Sequence, residues 1–499
     1  MDRRFADRIL ETAYRLRNPR VLAALVLISL TGIAIFVAPS LLTWLLRTTG
    51  TTARLRPTYD LLAFAANHLN TRQDSPMTNV DICIRNARLR RGADQLVDIA
   101  VAGGRIVALG HALAVTGRDE IDAGGNLVTE SFVNPHLHLC KVWTLPMMAE
   151  EALKNYRGDG MTNTLSAIDL ASKIKESYDA RWMTENARCA VALAALHGTT
   201  HIRAFADVDR KARLEGVKAL LAVREEFRGI VDLQVVAFAQ DGIVREPGAD
   251  RLMREAMELG ADVVGGIPWI ESGVEDAQAH IRFCFALAVQ FGKDVSMLLD
   301  DIGDPSMHTL EMMAAEAIER GWQGRALAHH CRAMALYPTA VFDTLVELVR
   351  RARVTIVSDP HTGPLHARVQ ELLAAGINVA LGQDDISDAY YPFGRNNMLE
   401  VAFLAAHLLW MTARAEIETL YDMITVTPAR AINIADFGLA IGTAANIVVL
   451  AQADVVEALR FHEAPYCVVS HGRLVDLARM RQLASPKYPV ALWRSRRSP

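Results

Sequence analysis

The six cysteines of the 499-residue chain (Cys83, Cys140, Cys189, Cys284, Cys331, Cys467) are scattered, with no Cys-x-x-Cys pair among them. That scatter argues against a disulfide framework and a structural zinc cluster, and leaves the thiols mainly as small apolar residues. Charge of one sign is also missing: 53 Lys and Arg against 57 Asp and Glu give a formal net charge of -4. With no basic recognition helix and no zinc-finger spacing, nothing marks a nucleic-acid partner, and small molecules are expected instead. A Gly-x-Gly-x-x-Gly turn is absent too, which removes the main support for a doubly wound dinucleotide fold.

Hydrophobic residues at 51% and charged residues at 22% are enough to bury a large core, so one big domain and a smaller one are expected. The N-terminal 76 residues differ from the rest. Val21 to Leu46 is an uncharged run of 26 residues interrupted by Gly32 and Pro39, longer than the roughly 20 a helix needs to cross a bilayer. Arginines precede it (Arg3, Arg4, Arg8, Arg15, Arg17, Arg20) and follow it (Arg47, Arg54, Arg56). The reading is a membrane anchor over residues 21–46, with a buried helix as the alternative; translation from Met77, where a strand-like alternation begins, would instead give a cytoplasmic protein. The basic tail, residues 476–499, reads as solvated or disordered.

From Val80 the pattern is β. Val80 to Arg85, Val97 to Val101 and Arg105 to Leu109 are short strands punctuated by Gly103-Gly104 and Gly124-Gly125, and the texture returns at Ala445 to Leu450 and Tyr466 to Ser470. Residues 77–130 and 430–475 are therefore expected to pair into one small β-sandwich. Between them, over 131–429, eight apolar strands alternate with helical stretches such as Asp250 to Leu259, Ala277 to Gln290 and Leu310 to Arg320. That spacing is what an α/β fold of the (β/α)8 TIM-barrel type needs.

Polar residues follow five of those strands: His136 and His138 after the first, Gln240 and Asp241 after the third, Asp300 and Asp301 after the fifth, His329 and His330 after the sixth, Asp384 and Asp385 after the eighth. In a barrel these meet in one mouth. His136 and His138, two apart on a strand, lie on one face and can aim both imidazoles at one metal ion.

His136-Leu-His138, His197-Gly-Thr-Thr, Val231 to Gly242, Leu259 to Pro268, His330 and Leu381 to Gly394 together resemble, in order, the cytosine deaminase branch of the metal-dependent amidohydrolase superfamily, the branch that also holds N-isopropylammelide isopropylaminohydrolase. The resemblance spans about Val80 to Val475. It implies one divalent ion, zinc or iron, held by His136, His138, Asp384 and His330, which lowers the pKa of water to near neutrality. It further implies that Asp384 shuttles a proton, that His330 orients water, that Asp301 is the general acid/base, and that Gln240, Asp385 and Tyr390 contact a heterocyclic or cyclic amide or amidine substrate.

Departures accompany the matches. The family's strand-5 metal histidine is Leu298, its general-acid glutamate is Asp301, a strand-2 histidine is Phe205, the acid after His138 is Cys140, and Tyr390 replaces a tryptophan. Asp300 or His329 would be a substitute ligand. Two readings follow: a deaminase-type hydrolase of C–N bonds, or a catalytically weak or inactive barrel that binds a ligand. Oligomeric state is left open, a homo-oligomer included.

Overall fold

The computed structural model of the protein describes residues 79–92, 95–147, 169 and 172–484. Alternating apolar residues and Gly-Gly turns begin a small sheet: β1 (Asn79–Leu89), β2 (Val97–Ala102), β3 (Arg105–Gly110), β4 (Thr116–Asp122) and β5 (Leu127–Glu130). Gly103 and Gly104, at φ 57° and 80°, make the tight β2–β3 turn in a conformation that side chains resist.

Eight strands then pair in parallel and in sequence order: β6 (Phe132–Leu137), β7 (Thr199–Asp207), β8 (Asp232–Phe238), β9 (Val263–Gly266), β10 (Asp294–Leu299), β11 (Ala326–His330), β12 (Thr355–Ser358) and β13 (Val379–Leu381). A bridge between Leu137 and Asp384 brings the first and last of them together. The strands are buried almost throughout because helices cover them outside while side chains fill the interior. Helices at Ala249–Glu258, Val274–Phe291 and Thr309–Glu319 lie where the apolar periodicity places them, with boundaries differing by a few residues.

The chain returns to the small sheet with β14 (Ile447–Val449), β15 (Cys467–Ser470) and β16 (Arg473–Leu474), giving the order β16-β15-β14-β5-β1-β2-β3 with β4 on β1. Where two stacked sheets were expected, β1 links all the strands: it pairs β2 and β4 along its first part and β5 at Arg88 and Leu89. Ile82, Ile84, Ile99 and Val128 from the early strands share one core with Ile447, Val449 and Val469 from the late ones.

The expected apolar helix at 21–46, and with it the choice between a membrane anchor and a start at Met77, lies outside the described residues. Among the described residues no helix is long and apolar enough to cross a membrane. At the start of the C-terminal segment Leu477–Leu483 is a helix, capped where Asp476 accepts from Arg479 N and with Met480 buried, while the basic stretch around Arg494, Arg496 and Arg497 lies outside the described residues.

Arg203 sits fully buried at the barrel floor, where its guanidinium donates to Gln234 Oε1 (2.9 Å) and Ser296 Oγ (3.1 Å) and lies 3.6 Å from Asp294. Burial pushes its pKa down to about 10 against the pull of Asp294. Arg203→Ala is expected to cost about 2–5 kcal/mol, by loss of volume and stranded polar partners, and Arg203→Met less, because it refills the space without a charge. Urea unfolding at equilibrium checks both; a change within about 0.5 kcal/mol for the alanine variant would refute the account.

Candidate active site

β6 and β13 close the barrel with two backbone hydrogen bonds beyond their ends: Asp384 N donates to His136 O (2.9 Å) and His138 N donates to Asp384 O (2.8 Å). Gly382 permits the approach, since a Cβ there would stand 2.7 Å from His136 Cβ. Three side-chain atoms then converge. His136 Nε2 and His138 Nε2 are 3.3 Å apart, and Asp384 Oδ1 lies 3.5 Å from the first and 3.6 Å from the second. Two ligands at about 2.1 Å from a shared tetrahedral ion would be roughly 3.4 Å apart, so the three fit a divalent ion.

Electrostatics point the same way. Burial pushes His136 down to about 4 and His138 well below its ordinary value, leaving neutral imidazoles with lone pairs to donate. Burial alone would raise Asp384, but His330, His136, His138 and Arg332 together hold it below the usual carboxylate range. Three electron-rich atoms facing one point call for a cation there. Asp384 and His330 hold φ at 65° and 66°, a left-handed conformation that costs non-glycine residues about 1–3 kcal/mol and persists where the surroundings over-determine it.

Asp359, after β12, is the residue the sequence reading passed over. Its Oδ1 is 2.9 Å from His330 Nδ1 and its Oδ2 is 3.7 Å from His136 Nδ1. Burial and then the Asp384 charge push it up to about 7. His136, His330, Asp359 and Asp384 offer ligand atoms within 4.8 Å of one another, as do His138, Asp384 and Asp385. The signal was present in Ser358-Asp-Pro-His361, a carboxylate closing an apolar strand, as polar residues close five of the other strands.

The cavity above the convergence is lined by His138, Gln240, Asp301, His330, Asp384, Asp385 and Tyr390, together with Lys141, Arg332, Trp269 and Leu298. Seven of the eight expected site residues line it, and the eighth, His136, does not line it but touches His138 and Asp384, which do. Lys141 and Arg332 were not anticipated. Lys141 Nζ donates to Gln240 Oε1 (3.1 Å) and stands 4.5 Å over the Tyr390 ring. Arg332 pairs with Asp301 at 3.0 Å. Burial raises Asp301, partly countered by Arg332, and burial with the Asp384 charge raises Asp385.

Three expectations are corrected. Asp300 is no substitute ligand: Oδ1 accepts from Thr309 N (2.6 Å) and Thr309 Oγ1 (2.7 Å), and Oδ2 from Leu310 N (3.2 Å) and Tyr337 OH (3.1 Å). It caps the helix Thr309–Glu319 from outside. Asp241 leaves the mouth to pair with Lys175 at 2.6 Å. His329 lies buried with its ring 4.4 Å from that of His136 and with neither nitrogen bonded, outside both convergent groups. Leu298 and Phe205, the two departures from the resemblance on strands 5 and 2, belong to one apolar cluster with Phe238, Ile267 and Trp269. The Phe205 ring packs against His136 (4.7 Å) and His138 (5.2 Å).

A (β/α)8 barrel with neutral histidines and a carboxylate converging at its C-terminal mouth is the architecture of a metal-assisted hydrolase. Residues 119–476 match the amidohydrolase family, and the chain belongs to it. It is 31% identical over 407 residues to N-isopropylammelide isopropyl amidohydrolase of Pseudomonas sp. (strain ADP), covering 79% of this chain and 97% of that protein. Among solved structures it is similar to 5-methylcytosine deaminase from Klebsiella pneumoniae with bound phosphonocytosine (32% identity, TM-score 0.72, 79% of this chain and 97% of that one). It is likewise similar to N-isopropylammelide isopropylaminohydrolase from Burkholderia multivorans (26% identity, TM-score 0.71, 79% and 98%). The cytosine deaminase and isopropylammelide branch is therefore its place within the family.

Gly382→Ala tests the seam. The added methyl must push β13 from β6, and the expected cost is about 1–3 kcal/mol of stability, the usual penalty for overpacking; a melting temperature equal to that of the parent chain would show that the strands do not depend on this contact.

Proposed function

We propose that the chain hydrolyses a C–N bond of a small nitrogen heterocycle or of a cyclic amide or amidine; the nitrogen departs as ammonia or an amine where the bond is exocyclic and stays on the ring-opened product where it is endocyclic. The observation that carries this reading is the 3.3–3.6 Å triangle of His136 Nε2, His138 Nε2 and Asp384 Oδ1. Those atoms would hold one divalent ion, zinc or iron, with His330 at the rim, its Nε2 4.0 Å from Asp384 Oδ1. When bound, such an ion supplies Lewis acidity and lowers the pKa of water toward neutrality.

The side chains divide the remaining work. Asp384, kept ionised by the imidazoles and Arg332, accepts the proton that water gives up. Asp359 takes an Nδ1–H from His330 and faces Nδ1 of His136, which leaves Nε2 of each ring turned to the reacting centre. Asp301 passes a proton to the departing nitrogen, a transfer its raised pKa favours. Because Lys141 occupies Gln240 Oε1, the amide NH2 is what Gln240 presents, a donor suited to a ring carbonyl or ring nitrogen. Trp269 and Leu298 supply the apolar side for a flat ring, with Tyr390 and Asp385 completing the pocket. The names of the relatives, a deaminase and an isopropylaminohydrolase, fit this class of reaction.

One observation favours a second reading, a barrel that binds a heterocycle without turning it over. Leu298 lies in an apolar cluster, and Asp301 is tied to Arg332.

The test uses the full chain loaded with zinc or iron and a panel of aminopyrimidines, aminotriazines and cyclic amides, with ammonia, amine and ring-opened product measured. Asp384→Ala is expected to lower kcat about 10²–10⁴-fold, and Gln240→Ala to act mainly on KM. Full activity in Asp384→Ala would end the mechanism, while tight heterocycle binding with no product from any substrate would favour the second reading. Asp359→Asn supplies a separate check: whichever way its amide faces, one imidazole meets an N–H donor, so metal affinity is expected to fall about 10–100-fold. Titration against a chromophoric chelator measures it, and unchanged affinity would remove Asp359 from the account.

A further inference from the structure

We propose that His201, Asp232 and His471 form a second divalent-cation site of the two-imidazole, one-carboxylate kind, on the face of the barrel opposite the mouth. His201 is near the start of β7, Asp232 opens β8, and His471 is the residue after β15. Strand starts mark the face away from the catalytic loops. His471 Nε2 is 3.0 Å from Asp232 Oδ2 and His201 Nε2 is 3.8 Å from the same oxygen, and one ligand atom from each residue lies within 4.8 Å of the others. Those separations bracket the roughly 3.4 Å expected of two ligands on one tetrahedral zinc.

A second observation supports a built site. The other nitrogen of each imidazole is held by the hydroxyl of the preceding residue: Thr200 Oγ1 is 2.8 Å from His201 Nδ1, and Ser470 Oγ is 2.9 Å from His471 Nδ1. Metal-binding histidines use such an outer hydrogen bond to fix the tautomer and the ring. His471 is also held at a strained backbone, φ 51°, with its N–H on Asn446 Oδ1 (2.8 Å). Gly472 beside it stands so close to Gly104 that a Cβ would meet backbone at 2.4 Å. The ring therefore has little freedom to turn away from His201, whose ring centroid is 5.7 Å distant.

Asp232 opens onto a surface cleft that also takes in His201, Arg224, Arg228 and Asp262. Arg224 is neutralised by Asp262 (2.8 Å) and Arg228 pairs with Glu225, so the local field does not repel a cation, and water can complete its shell. Two imidazoles and a carboxylate suit zinc. Bound there, zinc would tie the C-terminal hairpin of the small sheet to the barrel floor, a structural task separate from the mouth. In its absence His471 Nε2 and Asp232 Oδ2 are left to hydrogen-bond each other.

Zinc per chain, measured by elemental analysis and chelator competition on the full protein, tests the proposal. His471→Ala is expected to bind about one zinc fewer than the parent, to keep its mouth-site metal and any hydrolytic activity, and to lose a zinc-dependent rise in melting temperature. Asp384→Ala should keep that rise. If removing His471 destabilises the fold, His471→Gln, which can still donate to Asp232 but lacks the imidazole ligand, should show the same loss. Equal zinc content and equal thermal response in parent, His471→Ala and His471→Gln would overturn the proposal and leave a simple ion pair.

Discussion

Two backbone hydrogen bonds across the β6–β13 seam, His138 N to Asp384 O and Asp384 N to His136 O, hold the three convergent side chains in place. Backbone atoms set their spacing, so it does not depend on the rotamer entropy of long side chains. The constraint reaches further. Asp384 cannot meet both partners without leaving the ordinary strand conformation, hence its φ of 65°, and the chain cannot come near enough without glycine at 382. Closing the barrel and assembling the site are the same structural event.

Around that seam the mouth is divided. Strands β6, β11, β12 and β13 contribute histidines and carboxylates, with Asp359 placed between two imidazoles. Strands β7 to β10 contribute Phe205, Phe238, Ile267 and Leu298, an apolar wall against the histidine rings. Phe205 and Leu298, where the resemblance implied histidines, pack in one cluster. A low-dielectric wall on one side strengthens the charge interactions on the other. It also accounts for the depressed histidine pKa values, in which burial is the largest cause.

Much of this was legible in the chain. All eight barrel strands announced themselves as apolar runs, and five ended in the residues that meet at the mouth, because a barrel forces strand ends together whatever lies between them. What sequence could not separate was neighbours of like chemistry. Asp300 and Asp301 are adjacent carboxylates, yet one turns back to accept four hydrogen bonds around a helix start and the other faces the cavity. His329 and His330 both pack against the His136 ring, yet only His330 reaches Asp359 and the convergent group. Asp359 was missed because its role depends on His136 and His330, and Lys141 because its role depends on Gln240, partners distant in sequence that only the fold brings together. The link between the small sheet's two halves through β1 depends likewise on a register that hydropathy does not encode.

The small sheet also sets the order of events during synthesis. Val128 of β5 pairs with Val449 of β14, so the ribosome must make the whole barrel between them before the sheet can be completed. At translation speeds of about 5–20 residues per second that interval is roughly 15–60 s. Throughout it Ile82, Ile84 and Ile99 lack the late-strand residues with which they share a core, and β5 presents an open edge to other nascent chains. Residues 79–130 are therefore the stretch whose apolar face and strand edge wait longest, and β14, followed by β15, is what covers them.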